Sequence, residues 1–181
     1  IATRHHLHFE QCIAVVRSGK HVFVEKPLAL TVDQCREIMS EVEKAGVLCA
    51  VGFNRRFSTL ALAMRDTIAG TGGPKHIIYR VNAGPLPPTH WLFDPEIGGG
   101  RLLGEGCHFF DFMAWLTDSK PVSVSAQMVG NLTDEIVAIV KYSDGSVGTL
   151  IYTAMGNADF PKERIEVFAG GGVAVLDDFR S

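Results

Sequence analysis

Two short apolar runs flanking one well-marked helix constrain the fold most. The runs are His21-Val22-Phe23-Val24 and Val47-Leu48-Cys49-Ala50-Val51-Gly52. Between them, Thr31 and Gln34 have the spacing of a capping box. The helix it opens carries Val32, Cys35, Ile38, Met39 and Val42 on one face and stops at Gly46. A crossover of this length between two strands requires a parallel, right-handed connection. Upstream, Phe9, Cys12, Ile13 and Val16 recur at helical spacing before Gly19. With Ile1-Ala2-Thr3 expected as the tail of a further strand, residues 1–53 read as the back half of a doubly wound parallel sheet.

The periodicity changes after Phe53. One more helix is expected from Ser58 to Ala69, and then period-two alternation takes over. Ile77, Tyr79 and Val81 form one strand face, and Val122, Val124, Ala126 and Met128 another. Ile136 to Tyr142 and Val147 to Thr153 flank Ser143-Asp144-Gly145-Ser146, a hairpin signal. Glu163 to Ala169 leads through Gly170-Gly171-Gly172, read as a hairpin turn, into a last strand from Val173. This pattern predicts an open, mostly antiparallel sheet with one face covered. A helical run from about Arg101 to Leu116, with Leu103, Cys107, Phe110 and Ala114 as its apolar stripe, is the expected cover. The fold class is therefore α/β plus α+β, divided at 1–53 and 54–181. The start without Met and the end just after a strand suggest a piece of something longer, with the second domain cut at its C-terminal end.

Composition narrows the function. A net charge of −3 gives no basic surplus for nucleic acid, and no apolar run approaches a membrane span. Four scattered cysteines without a CxxC pair read as free thiols in a reducing, cytoplasmic setting. Asn131-Leu132-Thr133 fits a glycosylation sequon but stands alone.

Three polar clusters follow the strand-like segments of the first part: Thr3-Arg4-His5-His6, Glu25-Lys26-Pro27 and Asn54-Arg55-Arg56. Ligands of open α/β sheets bind at the carboxyl ends of the strands, so these clusters are expected on one rim. A Lys just past a buried strand suits proton transfer. A fourth feature is Gly98-Gly99-Gly100-Arg101-Leu102-Leu103-Gly104-Glu105-Gly106-Cys107-His108-Phe109-Phe110-Asp111. Here a glycine turn opens a helix that places His108 near Glu105 and Asp111. A His between carboxylates is a candidate acid/base group.

Glu25-Lys26-Pro27-Leu28-Ala29, Gly52-Phe53-Asn54-Arg55-Arg56-Phe57 and the glycine–His–Asp helix together resemble the glucose–fructose oxidoreductase / inositol dehydrogenase / rhizopine-catabolism (Gfo/Idh/MocA) family. The wording of Gly52 to Ser58 and of Gly98 to Asp111 is most similar to a subgroup fused behind a zinc-dependent alcohol-dehydrogenase-like domain. The resemblance implies a Rossmann domain that binds NAD or NADP, followed by an open sheet that floors the substrate site and often pairs two copies. It implies hydride transfer on a sugar, sugar acid or cyclitol. Lys26 and His108 would be catalytic, with Glu105 a third candidate because the family's usual Asp position is Gly104 here. Cofactor contacts are expected from Thr3, His5, His8, Glu25, Lys26, Pro27, Asn54 and Arg55. Substrate contacts are expected from His90, Trp91 and Asp111. The expected partners are a small polyol or sugar and a second copy through the C-terminal sheet, with no nucleic acid and no membrane.

Two other readings stand beside this one. The G-x-G-x-x-G phosphate fingerprint is absent from these residues, so the chain could be a non-catalytic fragment or assembly module. His5, His6, His8 and Cys12 have spacings found in metal hydrolases, but no carboxylate ligand accompanies them, and no metal is expected.

Overall fold

A computed structural model describes residues 1–130 and 132–181; Asn131, the first residue of the sequon, lies outside the described residues. The described residues cluster into two units. Residues 1–53 group with residues 87–107, and residues 54–86 group with residues 108–181. One unit boundary falls between Phe53 and Asn54, and residues 87–107 cluster with the first 53.

The first unit contains helix α1 (His8–Arg17), strand β1 (Val22–Val24), helix α2 (Val32–Ala45) and strand β2 (Cys49–Val51). β1 and β2 pair in parallel, as a helical crossover demands. The capping box forms in full: Thr31 Oγ1 accepts from the Gln34 N–H, and Gln34 Oε1 accepts from the Thr31 N–H. Gly46 ends α2 at φ 63°, a conformation in which a side chain would be strained. Ile1-Ala2-Thr3 is not a strand. Ile1 forms a single parallel rung, donating to Phe23 O at 2.7 Å and accepting from the Glu25 N–H at 2.9 Å. One rung fixes its place beside β1 but is too short for a ladder. The core gathers Cys12, Val16, Val22, Val24, Ala29 and Ile38.

The second unit holds helix α3 (Thr59–Ala69), strand β3 (His76–Asn82), most of helix α4 (Cys107–Thr117) and strands β4 (Pro121–Met128), β5 (Ile136–Tyr142), β6 (Val147–Thr153), β7 (Glu163–Ala169) and β8 (Gly172–Asp177). The strand order is β4-β5-β6-β3-β7-β8. Every pairing is antiparallel except β3 with β6. The glycine turn at 170–172 is a hairpin, with Gly170 and Gly171 at positive φ.

Helices α3 and α4 cover one sheet face. Ala61, Met64 and Ile68 of α3 and Phe109, Phe112, Met113 and Leu116 of α4 pack on Ile77, Tyr79, Leu150, Tyr152, Ile165 and Val167. The stripe expected on α4 is therefore displaced: Phe110 and Ala114 are only partly buried. Residues Leu102–Gly106 form a π-helical turn instead of an α-helical one. A wider turn breaks the 3.6-residue count carried forward from Leu103, so the buried face moves to Phe109 and Phe112. The opposite sheet face exposes Val137, Ile139, Phe168, Val173 and Val175.

Candidate functional site

Lys26 stands just beyond the carboxyl end of β1, and the Lys26–Pro27 bond is cis. Its half-buried Nζ donates to the Gly104 carbonyl at 2.8 Å. His8 secures the turn from behind. Fully buried, it places Nδ1 2.7 Å from Pro27 O and Nε2 3.1 Å from Thr3 O. Glu25 is exposed, and its carboxylate lies over Gly52, where a Cβ would approach it to 3.1 Å.

Gly104 belongs to the π-helical turn, a distortion that recurs at functional sites. A Cβ at position 104 would fall 2.5 Å from Leu92 Cδ1 and 2.9 Å from His5 Cε1. The space that a side chain would need is thus filled by two neighbours, and Lys26 meets a backbone carbonyl. Glu105 lies 3.4 Å from the guanidinium of buried Arg101.

His5 is buried and hydrogen-bonds Gly98 O through Nδ1 at 2.8 Å. Burial pulls its pKa below the ordinary histidine value; the Gly98 bond opposes this, and the nearby Lys26 charge adds to it. Trp91 packs edge-on against His5 at 4.8 Å between ring centroids, and the Arg4 guanidinium lies 5.5 Å from the Trp91 ring. His90 caps its own turn, with Nδ1 accepting from the Leu92 N–H at 3.2 Å. His90 and Trp91, two of the three residues expected to meet substrate, therefore pack within the first unit. Thr3 is exposed and donates to Gln11. Cys12 lies in the core with its thiol pushed up to about 11, by burial above all. Among the described residues, no three His, Cys, Asp or Glu side chains group as metal ligands.

In the second unit, His108 is buried on the first turn of α4. Asp111 is bidentate with Arg56: Nε to Oδ2 is 2.6 Å, and Nη2 meets Oδ1. Arg55 gives Nε and Nη2 to Glu163 at 2.9 and 2.5 Å, with its Cζ 4.9 Å from the Phe109 ring centroid. Tyr79 O–H donates to the same Glu163 carboxylate. Burial, then the Glu163 charge, holds the Tyr79 phenol protonated well above its ordinary pKa. Arg55, expected at the cofactor, and Asp111, expected at the substrate, thus have these internal partners; Asn54 stays exposed. Sequence reasoning missed Glu163 and Tyr79. The available signal was a carboxylate at an inward position of β7, in step with Ile165, Val167 and Ala169.

The sequence matches the family model for the GFO/IDH/MocA C-terminal domain over residues 65–175. It also matches the GFO_IDH_MocA model, described as an oxidoreductase family with an NAD-binding Rossmann fold, over residues 1–53. The chain belongs to the Gfo/Idh/MocA family. A 1,5-anhydro-D-fructose reductase from Ensifer adhaerens is 32% identical over 157 residues, 81% of this chain and 47% of that protein. A myo-inositol 2-dehydrogenase from Thermotoga maritima is 28% identical over 96% of this chain and 54% of its own length. The solved structure of an NAD-binding oxidoreductase from Klebsiella pneumoniae superposes with a TM-score of 0.86 at 26% identity, covering 98% of this chain and 53% of that one. The chain spans about half the length of the curated relatives it matches.

Proposed function

We propose that the protein carrying this chain is an NAD- or NADP-dependent oxidoreductase acting on a hydroxyl or carbonyl of a sugar, sugar acid or cyclitol. Lys26 and His108 are its acid/base groups. Lys26 carries the reading. It is a half-buried ammonium past the carboxyl end of a parallel strand, where ligands of such sheets bind. One N–H goes to Gly104 O, and an ammonium has three, so donors remain for hydroxyl oxygens. That donor set fits the ribose end of a nicotinamide cofactor, with Lys26 as its holder. The bound nicotinamide would take or supply the hydride. An alcohol that loses a hydride also loses its hydroxyl proton; one of Lys26 and His108 accepts that proton while the other polarises the oxygen. The relatives named as a fructose-derivative reductase and an inositol dehydrogenase support the substrate class.

We also propose that two copies pair through the exposed sheet face bearing Val137, Ile139 and Val175, in a reducing, cytoplasmic setting in keeping with the free cysteines. Sedimentation of wild type and Ile139→Lys tests the pairing: a smaller species in the variant supports it, and equal sedimentation removes it.

The deciding experiment uses the protein encoded by the complete reading frame around this sequence. It should bind NADH or NADPH in a fluorescence titration. Lys26→Ala should cut turnover by about 10²–10⁴-fold, the scale of general acid/base groups. Near-normal turnover in that variant overturns the role of Lys26. Absence of cofactor binding overturns the oxidoreductase reading in favour of an assembly module.

A further inference from the structure

We infer that Arg55 and Arg56 are positioning residues, which fix the rotation of α4 about its axis and so the setting of the His108 ring. This rests on the proposed acid/base role of His108. The two arginines are adjacent on one short 3-10 turn, Asn54–Phe57. Successive residues of such a turn point about 120° apart, so one turn supplies two anchors in different directions.

Arg56 reaches α4 itself. Its guanidinium forks onto both oxygens of Asp111, three residues after His108. At about 100° per residue, Asp111 lies roughly 60° around the helix from His108 on one side. Phe109 lies about 100° around on the other. Phe109 packs against the Arg55 guanidinium and against the Tyr79 ring, whose centroid is 5.1 Å away. Both of these groups bind one carboxylate, Glu163 of β7. His108 is therefore flanked by two fastenings, one to the arginine turn and one to the sheet. A rotation that loosens one strains the other.

Packing alone does not call for these charges. Buried ion pairs can often be replaced by apolar side chains without loss of stability. A bidentate arginine adds direction, because its planar fork matches a carboxylate in a narrow range of angles. A side-chain tip about 6 Å from the helix axis moves about 1 Å when the helix turns by about 10°. Misplacements of that size can cost about 10²-fold in rate.

The test uses Arg56→Gln, Arg56→Lys and Asp111→Asn in the protein of the complete reading frame. Arg56→Gln should lower kcat about 10–100-fold while both KM values stay within about 3-fold. Arg56→Lys, which keeps the charge but loses the fork, should recover part of the loss. The NMR signal of the His108 ring should move in Arg56→Gln and in Asp111→Asn, and no further in the double variant. Unchanged kcat in folded Arg56→Gln, or an unmoved His108 signal in both single variants, overturns the inference. If Arg56→Gln fails to fold, Asp111→Asn, which keeps its shape, decides on the same readouts. Normal turnover in His108→Ala would remove the acid/base reading instead; the His108 signal still decides whether the arginines set the ring.

Discussion

The two units hold their chemistry-bearing side chains by opposite means. In the first, Lys26, His5 and His8 are fastened to backbone carbonyls of Gly104, Gly98 and Pro27. In the second, the helix bearing His108 is fastened by Arg55–Glu163 and Arg56–Asp111. A carbonyl cannot move independently of its chain, so the first arrangement depends on close backbone approach, which glycine alone permits at several positions. Ion pairs place their demand elsewhere. They need carboxylates taken out of water, and each then depends on keeping its partner. The two tryptophans report the units separately, Trp91 in the first and Trp115 in the second.

Breaking the second arrangement should have the largest effect. Glu163→Ala leaves the part-buried Arg55 guanidinium and the buried Tyr79 hydroxyl without their shared acceptor. Removing one partner of a buried pair costs about 3–5 kcal/mol. Urea unfolding followed through Trp115 should show that loss; a change below about 1 kcal/mol would mean that the carboxylate does not hold the helix as described. Gly98→Ala is the counterpart in the first unit. Its Cβ would stand 2.4 Å from Leu92 Cα and 2.5 Å from Leu92 O, both backbone atoms that cannot rotate away. A loss of about 2–3 kcal/mol, at the upper end of overpacking costs, should appear through Trp91. Gly104→Ala meets only the side-chain ends of Leu92 and His5. About 1–2 kcal/mol is expected there. Stability through Trp91 equal to wild type in Gly104→Ala would show that those two neighbours do not define the pocket around Lys26.

The same contrast explains how much could be read from the sequence. The parallel pair, the capping box at Thr31 and Gln34, and the hairpins at Asp144-Gly145 and Gly170–Gly172 are local, and each was legible from spacing alone. Lys26, His108 and the Asn54–Arg56 cluster were legible as candidates from residue type. Their partners were not. Arg55 and Glu163 lie 108 residues apart, and nothing local relates them. Carbonyl partners leave no signature in residue identity except where crowding excludes a side chain, as at Gly104. The displaced stripe on α4 has a further cause: helical counting assumes a uniform turn, and the π-helical stretch before Cys107 violates it.

The smallest predicted effect concerns acid. His5 is buried, and burial above all lowers its pKa from the ordinary 6.5. Above pH 6.5 the imidazole is neutral in the folded and the unfolded chain, so its contribution to stability is fully present. Below pH 6.5 the unfolded chain takes up a proton that the folded unit resists. Stability is therefore lost as pH falls, down to the lowered pKa of the folded state. One such group contributes a slope of at most about 1.4 kcal/mol per pH unit. Unfolding followed through Trp91 should weaken between about pH 7 and pH 5, and His5→Gln should flatten that slope by up to one proton. Equal slopes in wild type and His5→Gln would show that the imidazole titrates freely. Burial would then not be keeping the proton off the ring, and the packing around the His5–Gly98 contact, one of the fastenings that set the first unit apart from the second, would be looser than described.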